Sequence, residues 1–306
     1  MATRFIQKFD SLNSVMNLPT AAGIGYVNGQ LYVNGSGGPV PLGGLLTFGA
    51  VLVVDPATAS ATNDINATIQ AAVDASASGD VILVAPGGYD ETVTITTGGI
   101  TIVGLGGRGA TFIEPTTAGA EGMQIAGVDD VTLVNLGVAG EGTASYALNL
   151  NDVSRFRAYA CKFEGIDAGP AVLLNGTADG QVGDALFRDC EFAWSAVGVL
   201  GDDSAYGFPT QVFLDVCRFH NIVTACISDG DASIVNLEVS DCIFDNAEDG
   251  TAPTDYVIVD GAASTGIFSG NRFATATNAT GVLTIAAGIM WVVNATEAGW
   301  STARPA

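Results

Sequence analysis

Carboxylates close together are the residues of this chain best placed to do chemistry. Asp202 and Asp203 lie in a loop, 201–209, that also holds Tyr206 and Phe208, and Asp215 follows shortly after. A glycosidase needs two such acids, one to protonate the leaving oxygen and one to activate water or attack the sugar. Loops standing on a rigid scaffold are where such sites are built, and aromatic rings beside acids suit a sugar. The ordinary reading of Gly201-Asp202-Asp203-Ser204 is a solvated turn, because Asp satisfies turn backbone through its own side chain. That reading is preferred, and Asp202, Asp203 and Asp215 stand as the alternative catalytic set.

Other groups point to chemistry less strongly. The single histidine, His220, is expected at a turn, and a nucleophilic triad would need a serine and a carboxylate converging on it. Asp229-Gly230-Asp231 and Glu248-Asp249-Gly250 are acidic turns without EF-hand spacing. Five cysteines, Cys161, Cys190, Cys217, Cys226 and Cys242, contain no C-x-x-C pair, so no zinc or iron–sulfur centre is expected. Their odd number argues against a fully paired disulfide framework, although stacked strands bring Cα atoms within range of an isolated bond. No metal and no cofactor is expected. Four Asn-x-Thr sequons, beginning at Asn66, Asn175, Asn278 and Asn294, matter only for an exported chain.

The elements that must position these residues come from a repeat. From residue 100 onward the chain returns to Gly104, Asn135, Cys161, Cys190, Cys217, Cys242 and Asn271. Short strands recurring at such a loose period, roughly 25 to 31 residues, are the mark of a solenoid. Seven rungs at ~4.8 Å each would make a stack roughly 34 Å long. Strand alternation turns each anchor and the residue two places later inward. The inward core ladder is then a thiol column, Cys161, Cys190, Cys217 and Cys242, beside an aromatic column, Phe163, Phe192, Phe219, Phe244 and Phe273. Lys162, Glu191, Arg218, Ile243 and Arg272 face out between them, so Glu191 sits between two cations, a structural role for that acid.

Flanking segments differ. In residues 1–50, Phe5, Phe9, Leu12 and Met16 make a short apolar helical stripe. Asn28-Gly29 between Tyr26-Val27 and Leu31-Tyr32 is a hairpin signal, and Gly35–Gly44 reads as a linker. A lone helix and hairpin bury too little to stand unaided. Residues 1–50 are therefore an attachment or oligomerisation arm, with Phe5, Phe9, Leu12, Met16, Tyr26, Leu31 and Tyr32 as its contact residues. A helix at about 63–77, with Ile65, Ile69, Ala72, Val73 and Ala77 on its apolar face and Asn63 or Asp64 as cap, opens the solenoid of residues 51–276. Residues 277–306 are its C-terminal cap or a subunit interface.

Composition sets the partners. With 32 acidic and 10 basic side chains the net charge is −22, which repels nucleic acid and anionic membrane. Charged residues make up 14% and mean hydropathy is +0.39, so the chain is not a disordered acidic segment. The apolar run Gly281–Val293 is too short to span a bilayer. No signal-peptide pattern occurs in residues 1–20, so synthesis and assembly in a cytoplasm are expected.

The block Asn63–Tyr89, ending in Gly79-Asp80-Val81-Ile82-Leu83-Val84-Ala85-Pro86-Gly87-Gly88-Tyr89 and followed by Ile100-Thr101-Ile102-Val103-Gly104, resembles the entry of right-handed parallel β-helices of the pectin lyase-like superfamily. The resemblance implies an all-β, single-stranded parallel β-helix with an N-terminal capping helix. It covers about residues 55–275 and is specific for fold rather than activity, since members include lyases, esterases, hydrolases and phage tailspikes and capsid appendages. The motifs of three enzyme classes are incomplete. Of the two lysines, Lys8 and Lys162, the second is already in the outward ladder, which disfavours a pectate lyase. Of the polygalacturonase motifs only Asp202-Asp203 is present, and the glutamines show no pectinesterase grouping. The resemblance, joined to the arm, implies a non-enzymatic virion protein of a tailed phage: a capsid decoration, head fibre or spike. Its expected partners are copies of itself, as a homotrimer, and capsid or tail proteins through the arm. The alternative is a tailspike depolymerase, a glycoside hydrolase or polysaccharide lyase acting on host surface glycan.

Overall fold

Alternating apolar residues and a turn residue at one fixed place in each repeat are enough to make this chain coil on itself. A computed structural model describes residues 24–27, 30–35, 38–41, 49–59, 65–141, 146–165, 169–176, 182–202, 209–230, 233–245, 255–259, 261–273, 283–285, 287–292, 294–296 and 299–301. The chain is a parallel β-solenoid, and each coil supplies three strand positions. One position builds an 11-stranded sheet whose path runs through Val51–Val54, Val81–Val84, Thr101–Gly104, Thr132–Val134, Arg157–Tyr159 and Gly183–Arg188 to Gly288–Val292. The other two build a 16-stranded sheet. In two coils they fuse into the long strands Glu191–Asp202 and Arg218–Ser228.

A tight corner separates the two sheets. The residue there takes a left-handed conformation in coil after coil: Ala160 (φ 52°), Asp189 (53°), Val216 (55°), Asp241 (52°) and Gly270 (69°). The anchor follows immediately, buried, and its neighbour two places on is the buried phenylalanine. Rings stack along the axis with centroids 4.6 Å apart for Phe192–Phe219, 4.9 Å for Phe219–Phe244 and 4.5 Å for Phe244–Phe273. The expected thiol and aromatic columns are both present, and all five cysteines are free and buried.

Three thiols of the column also bond the backbone of a neighbouring coil. Cys190 Sγ donates to Ala158 O at 3.4 Å, Cys217 Sγ to Phe187 O at 3.3 Å and Cys242 Sγ to Leu214 O at 3.4 Å, always a carbonyl of the preceding coil. Cys242 Sγ in turn accepts from the Cys217 amide at 3.4 Å. Asn271 performs both functions in the next coil: its Nδ2 donates to Val239 O and its Oδ1 accepts from the Cys242 amide, each at 2.9 Å. Cysteine and asparagine therefore share one column because both satisfy backbone groups that the corner would leave buried and unpaired. Asn135 differs. It is itself the left-handed residue (φ 61°) and donates to Gly104 O at 2.9 Å.

Val216 is the poorest fit to this corner, because a β-branched side chain is strained at positive φ. Its side chain is about half exposed, so nothing in the core holds it there. Val216→Asn should raise stability by about 1 kcal/mol. A urea midpoint unchanged or lowered in that variant would count against the strain.

At the N-terminal end the helix Ile69–Ala75 lies inside the expected 63–77 window and buries Ile69, Ala72 and Val73. Thr68, rather than Asn63 or Asp64, is its cap: its Oγ1 accepts from the Ala71 amide at 3.1 Å. Ile65 belongs to the short strand Ile65–Asn66 beside Val51–Val54, not to the helix. Glu91, from the following coil, accepts from the Ile69 and Gln70 amides at 2.8 and 2.9 Å. Gln70 then bonds both the Thr94 amide (2.7 Å) and the Thr94 carbonyl (3.2 Å). These bonds close the first strand edge that the stack would otherwise expose.

Residues 24–41 form a separate three-stranded antiparallel sheet of Ile24–Val27, Gln30–Gly35 and Gly38–Pro41. The strands on either side of residues 28–29 pair antiparallel as expected, with Tyr26 opposite Leu31. Gly38–Pro41 is a strand paired with Gln30–Gly35, where a linker was expected. Phe5, Phe9, Leu12 and Met16 lie outside the described residues, as do the side chains of Tyr26, Leu31 and Tyr32. At the other end the stack continues past residue 276 through Leu283–Ile285, Gly288–Val292 and Asn294–Thr296, each parallel to its predecessor. Gly299–Ser301 then pairs antiparallel with Asn294–Thr296.

Candidate functional site

The expected outward column is in register across five coils: Lys162, Glu191, Arg218, Ile243 and Arg272 are successive strand partners. A second outward column, two residues on, carries Glu164, Ala193 and His220. Together they make a half-buried charged cluster around Glu191. His220 Nε2 lies 2.8 Å from Glu191 Oε1, Lys162 Nζ 3.5 Å from the same oxygen, and Arg108 Nε 3.6 Å from Oε2. Lys162 also pairs with Glu164. Arg108 reaches in from an earlier coil and donates to the Asp189 carbonyl at 2.6 Å.

This arrangement fixes the charge on Glu191. The His220 hydrogen bond, joined by the nearby positive charges of Lys162 and Arg108, outweighs burial and holds its carboxyl down at about 2. Such a group stays ionised near neutral pH and cannot serve there as a general acid. Its folded value lies below its unfolded one near ~4.3. The stability it contributes is therefore present above pH ~4.3 and lost as pH falls toward 2, on the order of 2 kcal/mol once solvent screening is allowed for. In Glu191→Gln this acid-side loss should shrink by about that amount in urea titrations at pH 2.5 and 5; an unchanged acid limb would refute the assignment.

His220 is the residue whose setting differs most from expectation. It sits within the strand Arg218–Ser228, not at a turn, and is 3% exposed. Only its place in the outward alternation, one residue after the buried Phe219, signalled a contact with the charged ladder. Asp229 is likewise no solvated turn residue: it is buried and accepts from the Gly261 amide (2.8 Å) and the Ser264 hydroxyl (2.9 Å). Asp231, Glu248 and Asp249 lie outside the described residues. Among the described residues no group of three or more His, Cys, Asp or Glu side chains could hold a metal ion.

The alternative catalytic acids are spread over two sheets. Asp202 ends the strand Glu191–Asp202 opposite Asn175 on the 16-stranded sheet. Asp203 lies outside the described residues, as does the Asp202 side chain. Asp215 ends Thr210–Asp215 on the 11-stranded sheet. Its carboxylate is held by Arg188 Nε at 3.0 Å and the Ser240 hydroxyl at 3.1 Å. A shallow cleft of about 230 Å³ borders it, lined by Leu186, Phe213, Asp215, Glu238 and Ser240.

Ion pairs between coils recur elsewhere. Arg155 bridges Asp129 (3.1 Å) and Asp130 (2.7 Å), Arg157 meets Asp184 at 2.6 Å, and Arg218 meets Asp245 at 3.1 Å. The cations thus lock neighbouring coils together.

No protein-family model matches this sequence, and no curated protein does. Solved structures do match, through shape. ORF18 of Geobacillus virus E2 is 13% identical, with 87% of this chain and 67% of that one aligned at a TM-score of 0.56. Pectin methylesterase PemA from Erwinia chrysanthemi is 15% identical over 84% of this chain and 92% of that one, with a TM-score of 0.50. An alginate lyase from Paenibacillus sp. is 13% identical over 80% and 86%, with a TM-score of 0.52. The chain therefore shares the parallel β-helix fold of these proteins. No helix among the described residues is long and apolar enough to cross a membrane.

Proposed function

We propose that this chain is a structural component of a tailed-phage particle, a β-helical decoration, fibre or spike. Its N-terminal arm attaches it to capsid or tail proteins, and it assembles with copies of itself as a homotrimer. One observation carries the reading. The basic side chains around the corner between the sheets join coil to coil, and the acids they meet, Glu191 and Asp215 included, are held in place by ion pairs. A rigid rod with its charges locked suits display or adhesion, and the fold shared with a viral protein agrees with that use.

The experiment is location and dependence on the arm. A chain lacking residues 2–44 should stay soluble yet fail to join particles purified from the source culture, and immunogold against the full chain should decorate those particles. Incorporation of the truncated chain would overturn the role of the arm, and unlabelled particles would overturn the virion assignment.

A depolymerase acting on host surface glycan is the second reading. Phe213 beside Asp215 and Glu238 in the shallow cleft favours it, since a ring flanked by carboxylates suits a sugar. Replacing Asp202, Asp203 and Asp215 together by Asn without loss of polysaccharide cleavage would remove those acids from it.

A further inference from the structure

The outer face of the 11-stranded sheet is long, nearly neutral and rich in large apolar side chains. Two outward columns run its length in unbroken register, one from Val51 to Met290 and the other from Val53 to Val292. Their charged members are Arg157, Arg188, Asp215 and Glu238, and most other positions hold Val, Leu, Ile, Phe, Tyr or Met. Arg157 is neutralised by Asp184 and Arg188 by Asp215. In these two columns Glu238 alone is unbalanced, in a chain of net charge −22.

Apolar exposure is highest at the two ends of these columns, with Val51 at 41% at the N-terminal end. Ile267 is 39% exposed, Met290 beside it 58%, and Val292 37%. Ten strands at ~4.8 Å give a face about 45 Å long, and four residues of strand make it ~13 Å wide, roughly 600 Å² in all. A standard interface takes ~800 Å² from each partner, so this face with its margins is close to the required size.

We infer that this sheet face is the surface through which copies of the chain associate. The inference rests on the proposed self-assembly and adds its location. Charge argues for a second copy rather than another partner. A cationic partner would be drawn to the acids elsewhere, whereas copies of so acidic a chain approach most closely where each presents little uncompensated acid, here Glu238 alone. The partner that fits is long, flat, apolar and nearly neutral, and this same face on further copies, all turned toward one three-fold axis, meets each of those terms.

The test uses the full chain in light-scattering chromatography at 5–100 µM and physiological salt, with thermal melts as the folding control. Wild type should run as an oligomer. Ile267→Lys with Met290→Lys should run as a monomer with an unchanged melt, because both positions are exposed. Val223→Lys, at a 53% exposed position on the other sheet, should remain oligomeric. Val292→Lys alone gives a second, milder variant, expected to weaken association at least tenfold, should the double variant fail to fold. Oligomers that survive these lysines would overturn this face while leaving self-assembly standing. A monomeric wild type across the range would overturn both.

Discussion

Above about pH 8.5 the folded chain should lose stability at roughly 5 kcal/mol per pH unit, a far steeper alkaline limb than surface groups produce. Burial pushes the thiols of Cys161, Cys190, Cys217 and Cys226 above their ordinary range. An unfolded thiol titrates near ~8.5. Between that value and the raised folded one, the native state keeps protons that the unfolded state has released. Their contribution is complete below pH ~8.5 and declines by about 1.4 kcal/mol per unit for each thiol as pH rises. Urea midpoints at pH 7.5, 8.5 and 9.5 measure the slope. Replacing the four cysteines by serine should flatten it, because a hydroxyl does not titrate here. A thiol reagent should find none of the five cysteines in the native chain and all five after unfolding. A flat alkaline limb in wild type, or rapid native labelling, would show that the column is open to water.

Phe219→Ala should cost about 3–5 kcal/mol, the upper range for a buried aromatic. Phe219 is fully buried and stacks on both sides, with ring planes 10° from Phe192 and 7° from Phe244. Truncation removes apolar burial, opens a cavity and breaks two stacking contacts at once. The coils above and below cannot close the gap, since their spacing is set by backbone hydrogen bonds at ~4.8 Å. Phe163, near the start of the column, has looser ring contacts, stacked on Phe192 at 5.7 Å and 30° and edge-on to Phe187 at 5.9 Å. Phe163→Ala should therefore cost less than Phe219→Ala by about 1 kcal/mol. Equal urea midpoints for the two variants would show that stacking along the axis adds nothing to simple burial.

The one-dimensional nature of the fold explains how much of it was legible. A solenoid residue meets mainly the residues one coil away, so a period read from the chain locates both neighbours of each anchor. The thiol and phenylalanine columns, the outward order Lys162, Glu191, Arg218, and the antiparallel strands on either side of residues 28–29 all follow from spacing and alternation. Asn271 within the thiol column was readable as a position. That it performs the same backbone task as cysteine became visible only from the corner geometry.

Sites depend on departures from that regularity, and alternation carries no record of them. Nothing in the sequence says that the strand runs on to Ser228, so a turn is the expected place for His220. Asp202 and Asp215 are close in sequence, yet a change of sheet sets them apart. Arg108 reaches Asp189 across 81 residues because long side chains can lie along a stack. Neutrality of one whole sheet face is a sum over many coils that no local window contains. Period, polarity and turn residues in the sequence alone determined the coil, its core columns and its strand register. Only the tertiary structure decided which charges meet, that the single histidine is buried and that one sheet face is nearly neutral, because those depend on how far each strand runs and where each side chain reaches.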